Sequence, residues 1–225
     1  MPDSRLLFVI LPKVLILTKM KKLLCILLTL LPMMAAAQDN TWERINNEPE
    51  QKDNPNAKYL KEDAVPEIDG KVCWTKSINA PGKTGRQIYD ILLAQLEKMT
   101  TEPNQIKNSV VAVKDENALE LGAVFHEWLV FKNAALSLDQ TQFNYQIIVR
   151  CFDGKADVRL TRITYDYDVD RKPIRYIAEE WITDKYAVNK KRTKLYPISG
   201  KFRRKTIDRK DFIFNKFETL LSDKQ

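Results

Sequence analysis

The chain has 225 residues, of which 44% are hydrophobic and 30% charged, and its formal net charge is +7. This is the composition of an ordinary globular protein with a real core, and it excludes a chain that is disordered throughout. The five basic residues and one acidic residue of Met1–Ala37 supply +4 of that charge. The remainder therefore carries only +3, too mild an excess to imply a polyanionic partner by itself.

The first element in the chain is an export signal. Met20 to Ala37 reads MKKLLCILLTLLPMMAAA: Lys21 and Lys22, then an apolar core from Leu23 to Leu31, then Pro32 and small residues at Ala35 and Ala37. That order is a secretory signal peptide, with cleavage expected after Ala37. The core of nine residues is far short of the roughly 20 needed to span a bilayer, which argues against a retained anchor. Cys25 follows Leu24 inside the apolar core, so a lipoprotein signal is not expected. Residues 1–37 are read as the leader, with Met20 the expected start and 1–19 an over-extension. Export implies a periplasmic or secreted protein of 188 residues with no transmembrane segment of its own, and it disfavours nucleic acid as a partner. The same export disfavours functions that need ATP, NAD or chromosomal DNA.

Residues 38–69 are rich in Asn, Glu, Asp, Lys and Pro, and their few apolar residues show no period, which predicts a flexible linker. The domain is expected over 70–222. Lys71 to Ile78 predicts a strand ended by Pro81-Gly82. Thr84 and Gln87 form a capping box, after which Ile88, Leu92, Leu96 and Met99 repeat at helical spacing.

Four strands follow. Val110–Lys114 and Ala118–Phe125 are joined by a turn at Asp115-Glu116-Asn117. Trp128–Leu138 is read as a connection with room for a helical turn. In Gln142–Cys151, Phe143, Tyr145, Ile147, Val149 and Cys151 point one way. Gln142, Asn144, Gln146 and Arg150 point the other, a face open for contact. Asp153-Gly154 predicts a hairpin into Ala156–Tyr167, whose apolar phase slips between Leu160 and Ile163 and so predicts a bulge. Asp168–Gly200 is poorly patterned, and a last amphipathic helix is expected from Thr206 to Leu221. Two helices on one face of an antiparallel sheet make an α+β domain.

The stretches GKVCWTKSINAPGKTGRQIYDILLAQL from Gly70 and YQIIVRCFDGKADVRLTRITYDY from Tyr145 resemble a bacterial exported family. It is a domain of unknown function with a TBP-like fold (the 4468 family). The resemblance implies a signal peptide followed by one TBP-like β-α-β-β-β-β-α unit, with an antiparallel sheet and two helices on one face. It implies no catalytic residues. Asp168–Gly200 is longer than the unit requires.

Few residues of the chain form a recognisable chemical motif. His126 is the one histidine, and no hydrolase, zinc-peptidase, P-loop or C-x-x-C motif is present. Asp166, Asp168 and Asp170 begin like a calcium loop, but Arg171 stands where the loop needs Gly and Ile177 where it needs Glu. Glu179-Glu180 lacks a facing acid for glycoside chemistry. No cofactor is expected. Cys73 and Cys151 fall in two predicted strands, so a disulfide and two buried free thiols are both open.

Lys185–Lys216 holds twelve basic residues against Asp208 and Asp211, with aromatic residues among them. Rings that stack and cations that pair suit glycans or anionic surfaces. The candidate contacts are Lys190, Lys191, Arg192, Arg203, Arg204, Trp181 and Tyr186. The reading is a non-enzymatic envelope module that binds a partner protein, a glycan or an anionic surface. The alternatives are an enzyme of unrecognised type and an exported polyanion- or glycan-binding protein using the basic 185–216 segment.

Overall fold

The computed structural model describes Trp42 and residues 55–134, 137–169 and 171–222. The leader and most of the expected linker lie outside the described residues. The described elements are α1 (Ala57–Leu60), β1 (Glu67–Ile68), β2 (Lys71–Asn79), α2 (Gly85–Met99), β3 (Val110–Asp115), β4 (Glu120–Ala134), β5 (Ser137–Phe152), β6 (Lys155–Tyr167), β7 (Ile174–Ile177), α3 (Asp184–Ala187) and α4 (Ser199–Ser222). A 3-10 turn, Ala178–Glu180, follows β7.

The described strands form one seven-stranded sheet in the order β1-β2-β6-β5-β4-β3, with β7 also on β6, and the recorded pairings are antiparallel. β2 pairs with β6 as far as Cys73↔Thr161, and β7 takes over from Thr164↔Ile177. The handover falls at the expected bulge, where Arg162 has a φ of 55° and the β5–β6 register shifts by one residue.

Strand alternation decides which face is dry. Phe125, Phe143, Tyr145, Ile147, Leu160 and Tyr165 are buried together with Ile88, Leu92 and Leu96 of α2 and Phe202, Ile213 and Phe217 of α4. Fully burying each such side chain stabilises the fold by about 1.5–3 kcal/mol. α2 starts as the sequence predicts. Gln87 N–H donates to Thr84 Oγ1 at 3.3 Å, and Thr84 N–H donates to Gln87 Oε1 at 2.8 Å.

Three expectations change. First, the described part of 38–69 is not a flexible linker. Trp42, Tyr59, Leu60 and Val65 are buried, β1 pairs with β2, and Trp74 Nε1–H donates to Ala64 O at 3.0 Å. A few isolated apolar anchors, each with its own socket, achieve this without any periodicity. Second, Trp128–Leu138 holds no helical turn among its described residues. β4 runs on to Ala134 and β5 begins at Ser137, so the two strands form a long hairpin. Third, the last helix begins at Ser199, seven residues before Thr206.

Cys73 and Cys151 are free and buried. β6 separates their strands, with Cys73 level with Thr161 and Cys151 level with Ala156. Two strand spacings across and five residues along put them well over 10 Å apart, beyond the reach of a disulfide. Burial pushes the Cys151 thiol up to about 12.

The start of α4 gives a stability prediction. A Cβ on Gly200 would lie 2.6 Å from Leu195 Cβ, at the root of that side chain. Gly200→Ala is expected to lower unfolding stability by about 1–3 kcal/mol through overpacking, read by chemical denaturation.

Candidate functional site

The sheet face away from α2 and α4 is built from the alternate residues the helices leave uncovered. At one end Ser77, Asp157, Arg150 and Glu120 stand in register across β2, β6, β5 and β4. Ser77 Oγ donates to Asp157 Oδ1 at 2.6 Å, and Arg150 Nε donates to Glu120 Oε2 at 3.0 Å. The next row holds Thr75, Arg159, Ile148 and Gly122. All of these residues but Gly122 line an open cleft of about 410 Å³. Arg159 is exposed and has no ion-pair partner among the described residues.

The other end carries a hydrogen-bonded chain over β4, β5, β6 and β7. His126 Nδ1 is 2.7 Å from Asn144 Oδ1, and Asn144 Nδ2 is 3.0 Å from Asp166 Oδ2. Arg175 donates to both Asp166 oxygens, from Nε at 2.6 Å and Nη2 at 2.8 Å. The Arg175 hydrogen bonds hold the Asp166 carboxyl below its usual range.

Chemistry sets the direction of this chain. A guanidinium only donates and an ionised carboxylate only accepts, so Asp166 must face the amide nitrogen of Asn144. Asn144 Oδ1 is then an acceptor, and His126 Nδ1 carries the proton. In the neutral imidazole, Nε2 is left with its lone pair. Trp128, two residues on along the same face, is half-buried and lies opposite Gln142.

The residues singled out from the sequence separate into two groups. Tyr186 is exposed on α3, and Lys190 and Lys191 are exposed on the loop between α3 and α4. Arg203 is fully buried: Nε donates to Tyr59 O at 2.8 Å, Nη1 to Ile182 O at 2.8 Å, and Nη2 is 2.6 Å from Asp184. Arg192 donates to Asp184 and, at 2.8 Å, to Leu60 O. It holds a left-handed φ of 52°, a strained conformation that these two bonds retain. Trp181 stacks on Tyr176 with ring centroids 3.8 Å apart and meets Phe202 edge-on. Arg204 is half-buried on α4. Arg192, Arg203 and Trp181 therefore hold the 178–198 segment in place. A count of cations along the chain cannot separate an anchor from a contact.

The remaining candidates also find structural partners. Glu179 Oε1 accepts Val72 N–H at 2.8 Å, closing the end of β2. Asp168 lies 3.8 Å from Arg171, and Asp170 is outside the described residues. Among the described residues no group of three His, Cys, Asp or Glu side chains is placed to hold a metal ion. Alternation in β5 discloses this open face, but only the β4–β5 register places His126 opposite Asn144 and Trp128 opposite Gln142 on it.

One antiparallel sheet with helices on one face and an open polar face on the other defines a TBP-like α+β domain. Residues 74–166 match the family described as a domain of unknown function (DUF4468) with TBP-like fold. The crystal structure of a DUF4468 family protein from Bacteroides ovatus ATCC 8483 is 40% identical over 76% of this chain and 97% of that one, with a TM-score of 0.69. The chain belongs to the DUF4468 family. A TBP-like protein from Parabacteroides distasonis ATCC 8503 shares the fold at 20% identity and a TM-score of 0.60, over 72% of this chain and 99% of that one. No curated protein matches the chain. Among the described residues no helix is long and apolar enough to cross a membrane.

Proposed function

We propose that this chain is an exported, non-enzymatic binding module that docks on an anionic lipid surface through the segment 185–198, the end of α3 and the loop that follows it. The observation that carries this reading is the composition of the loop surface. Lys185, Lys190, Lys191 and Lys194 are exposed and have no ion-pair partner among the described residues. Beside them Tyr186, Tyr196 and Ile198 are 38%, 42% and 62% exposed.

The loop is built to present these groups. Val188 and Leu195 form a bridge, Tyr196 N–H donates to Ala187 O at 2.9 Å, and Ser199 Oγ donates to Tyr186 O at 2.7 Å. Asn189 Oδ1 accepts the N–H groups of Thr193 and Lys194 at 2.8 and 3.0 Å. Asp184, the acid at the base, is already engaged by Arg192 and Arg203, and Arg192 also feels Glu62 and Asp63. A lysine near an anionic bilayer contributes about 1 kcal/mol, and amphipathic rings favour the headgroup level. A soluble polyanion would use the lysines and have no need of Ile198. The Met20–Ala37 leader supports export, and the absence of hydrolase, zinc-peptidase and P-loop motifs supports a non-enzymatic role.

Sedimentation with phosphatidylglycerol vesicles is expected to pull down the mature protein, and phosphatidylcholine vesicles are not. Half-molar salt should release it, because exposed charges are then screened within a few ångströms. Lys190→Glu with Lys191→Glu should weaken binding at least tenfold. Equal binding to both lipids would sink the anionic reading. Export is tested separately: N-terminal sequencing from fractionated cells should read from Gln38, and an intact leader on the protein would overturn it.

A further inference from the structure

We infer that the open sheet face around Trp128 and His126 is a saccharide-binding platform, distinct from the basic loop. Several observations converge there. The Trp128 indole has no ring contact and no hydrogen bond among the described residues, although it sits half-buried on a strand. A tryptophan that serves the core belongs on the other face, with Phe125 and Leu129, both fully buried. Trp128 is instead on the face that carries Gln142, Asn144 and Gln146.

His126 stands two residues before it, about 7 Å along the strand. The Arg175–Asp166–Asn144 chain fixes His126 with its Nδ1 proton turned inward. In the neutral imidazole the Nε2 lone pair points to no protein donor among the described residues. The amides of Gln142 and Gln146 likewise make no side-chain hydrogen bond among the described residues. Both are half-buried, and they flank Asn144 on β5.

The charges of this row cancel. Asp166 is neutralised by the two bonds from Arg175, which leaves uncharged donors and acceptors around one aromatic ring. That set is matched to a sugar. A sugar hydroxyl donates and accepts at once, so one group can donate to His126 Nε2 while accepting from a Gln amide. The apolar face of the sugar ring covers the indole, whose own N–H provides a polar handle. The neighbouring bulge adds Arg162, exposed and without an ion-pair partner among the described residues, which would donate to the carboxylate of an acidic sugar.

The four-strand chain also explains why the platform is rigid. Hydrogen bonds from β4 through β7 hold His126 and Asn144 in single orientations before any ligand arrives, which lowers the ordering cost of binding.

The test uses the mature protein on an array of neutral and uronic-acid oligosaccharides, followed by calorimetry with the strongest hit. Wild type is expected to bind at least one oligosaccharide. Trp128→Ala should weaken binding at least tenfold and Trp128→Phe by less, while His126→Ala should cost threefold to tenfold. Each variant is compared with wild type by thermal melting, and Trp128→Phe serves as the second variant should Trp128→Ala fail to fold. Lys190→Glu with Lys191→Glu should leave saccharide affinity unchanged. The inference is overturned if wild type binds nothing on the array, if Trp128→Ala or Trp128→Phe binds more tightly than wild type, or if a folded Trp128→Ala binds as wild type does.

Discussion

Glu127→Ala is expected to remove about 3–5 kcal/mol of folding stability, because it strands a buried arginine. Arg209 of α4 is fully buried, and Glu127 of β4 is 1% exposed. Arg209 Nε donates to Glu127 Oε1 at 2.8 Å, and Nη2 donates at 2.8 Å to both Glu127 Oε2 and Glu102 Oε2. Gln105 Nε2 adds a bond to Glu127 at 2.6 Å. The rings of Trp42 and Phe212 lie 5.5 and 5.4 Å from the guanidinium carbon. Burial pushes the Glu127 carboxyl above its ordinary range, while Arg209 and Gln105 pull it back.

Without Glu127 the buried guanidinium keeps Glu102 as its one carboxylate partner among the described residues. Thermal denaturation should show a fall of roughly 10 °C for a domain of this size. The pair itself contributes much less than the loss suggests, since taking both charges out of water is costly. Glu127→Leu combined with Arg209→Met is therefore expected to lie within about 2 kcal/mol of wild type. A double variant as unstable as Glu127→Ala would show that the site is held by something other than the charge pair.

This buried pair marks the limit of what the sequence discloses. The features that follow a period are legible: the Thr84 capping box, the Ile88–Met99 stripe, the alternation in β5, the Asp153-Gly154 hairpin and the bulge before Ile163. Each is a local pattern whose partner lies within a few residues or on the adjacent strand. Glu127 and Arg209 are 82 positions apart and belong to elements whose apolar patterns are complete without them. Trp42 and Tyr59 are single anchors in a polar stretch, and composition alone makes that stretch look like a linker. The open face was half visible. Alternation assigns Gln142, Asn144 and Gln146 to it, but the register that sets His126 beside Asn144 and Asp166 exists only once β4, β5 and β6 are paired.

Arg203 is the clearest case of a cation whose role reverses on folding, and Arg203→Ala is expected to cost about 3–5 kcal/mol. Its guanidinium ties three segments to α4: Tyr59 in α1, Ile182 after the 3-10 turn, and Asp184 at the start of α3. Removing it leaves two buried carbonyls without this donor and leaves Asp184 with Arg192 as its one cationic partner among the described residues. Arg203→Lys keeps the charge but has no planar fork to reach three acceptors, so it should recover less than half of the loss. Hydrogen exchange should locate the damage, with amides of 57–60 and 182–188 losing protection ahead of those in α2 and β5. The basic loop springs from the same anchor, so vesicle binding should weaken in Arg203→Ala with the four loop lysines intact. Full stability in Arg203→Lys would show that charge alone suffices. Wild-type exchange in Arg203→Ala would return Arg203 to the surface contacts that the sequence suggested.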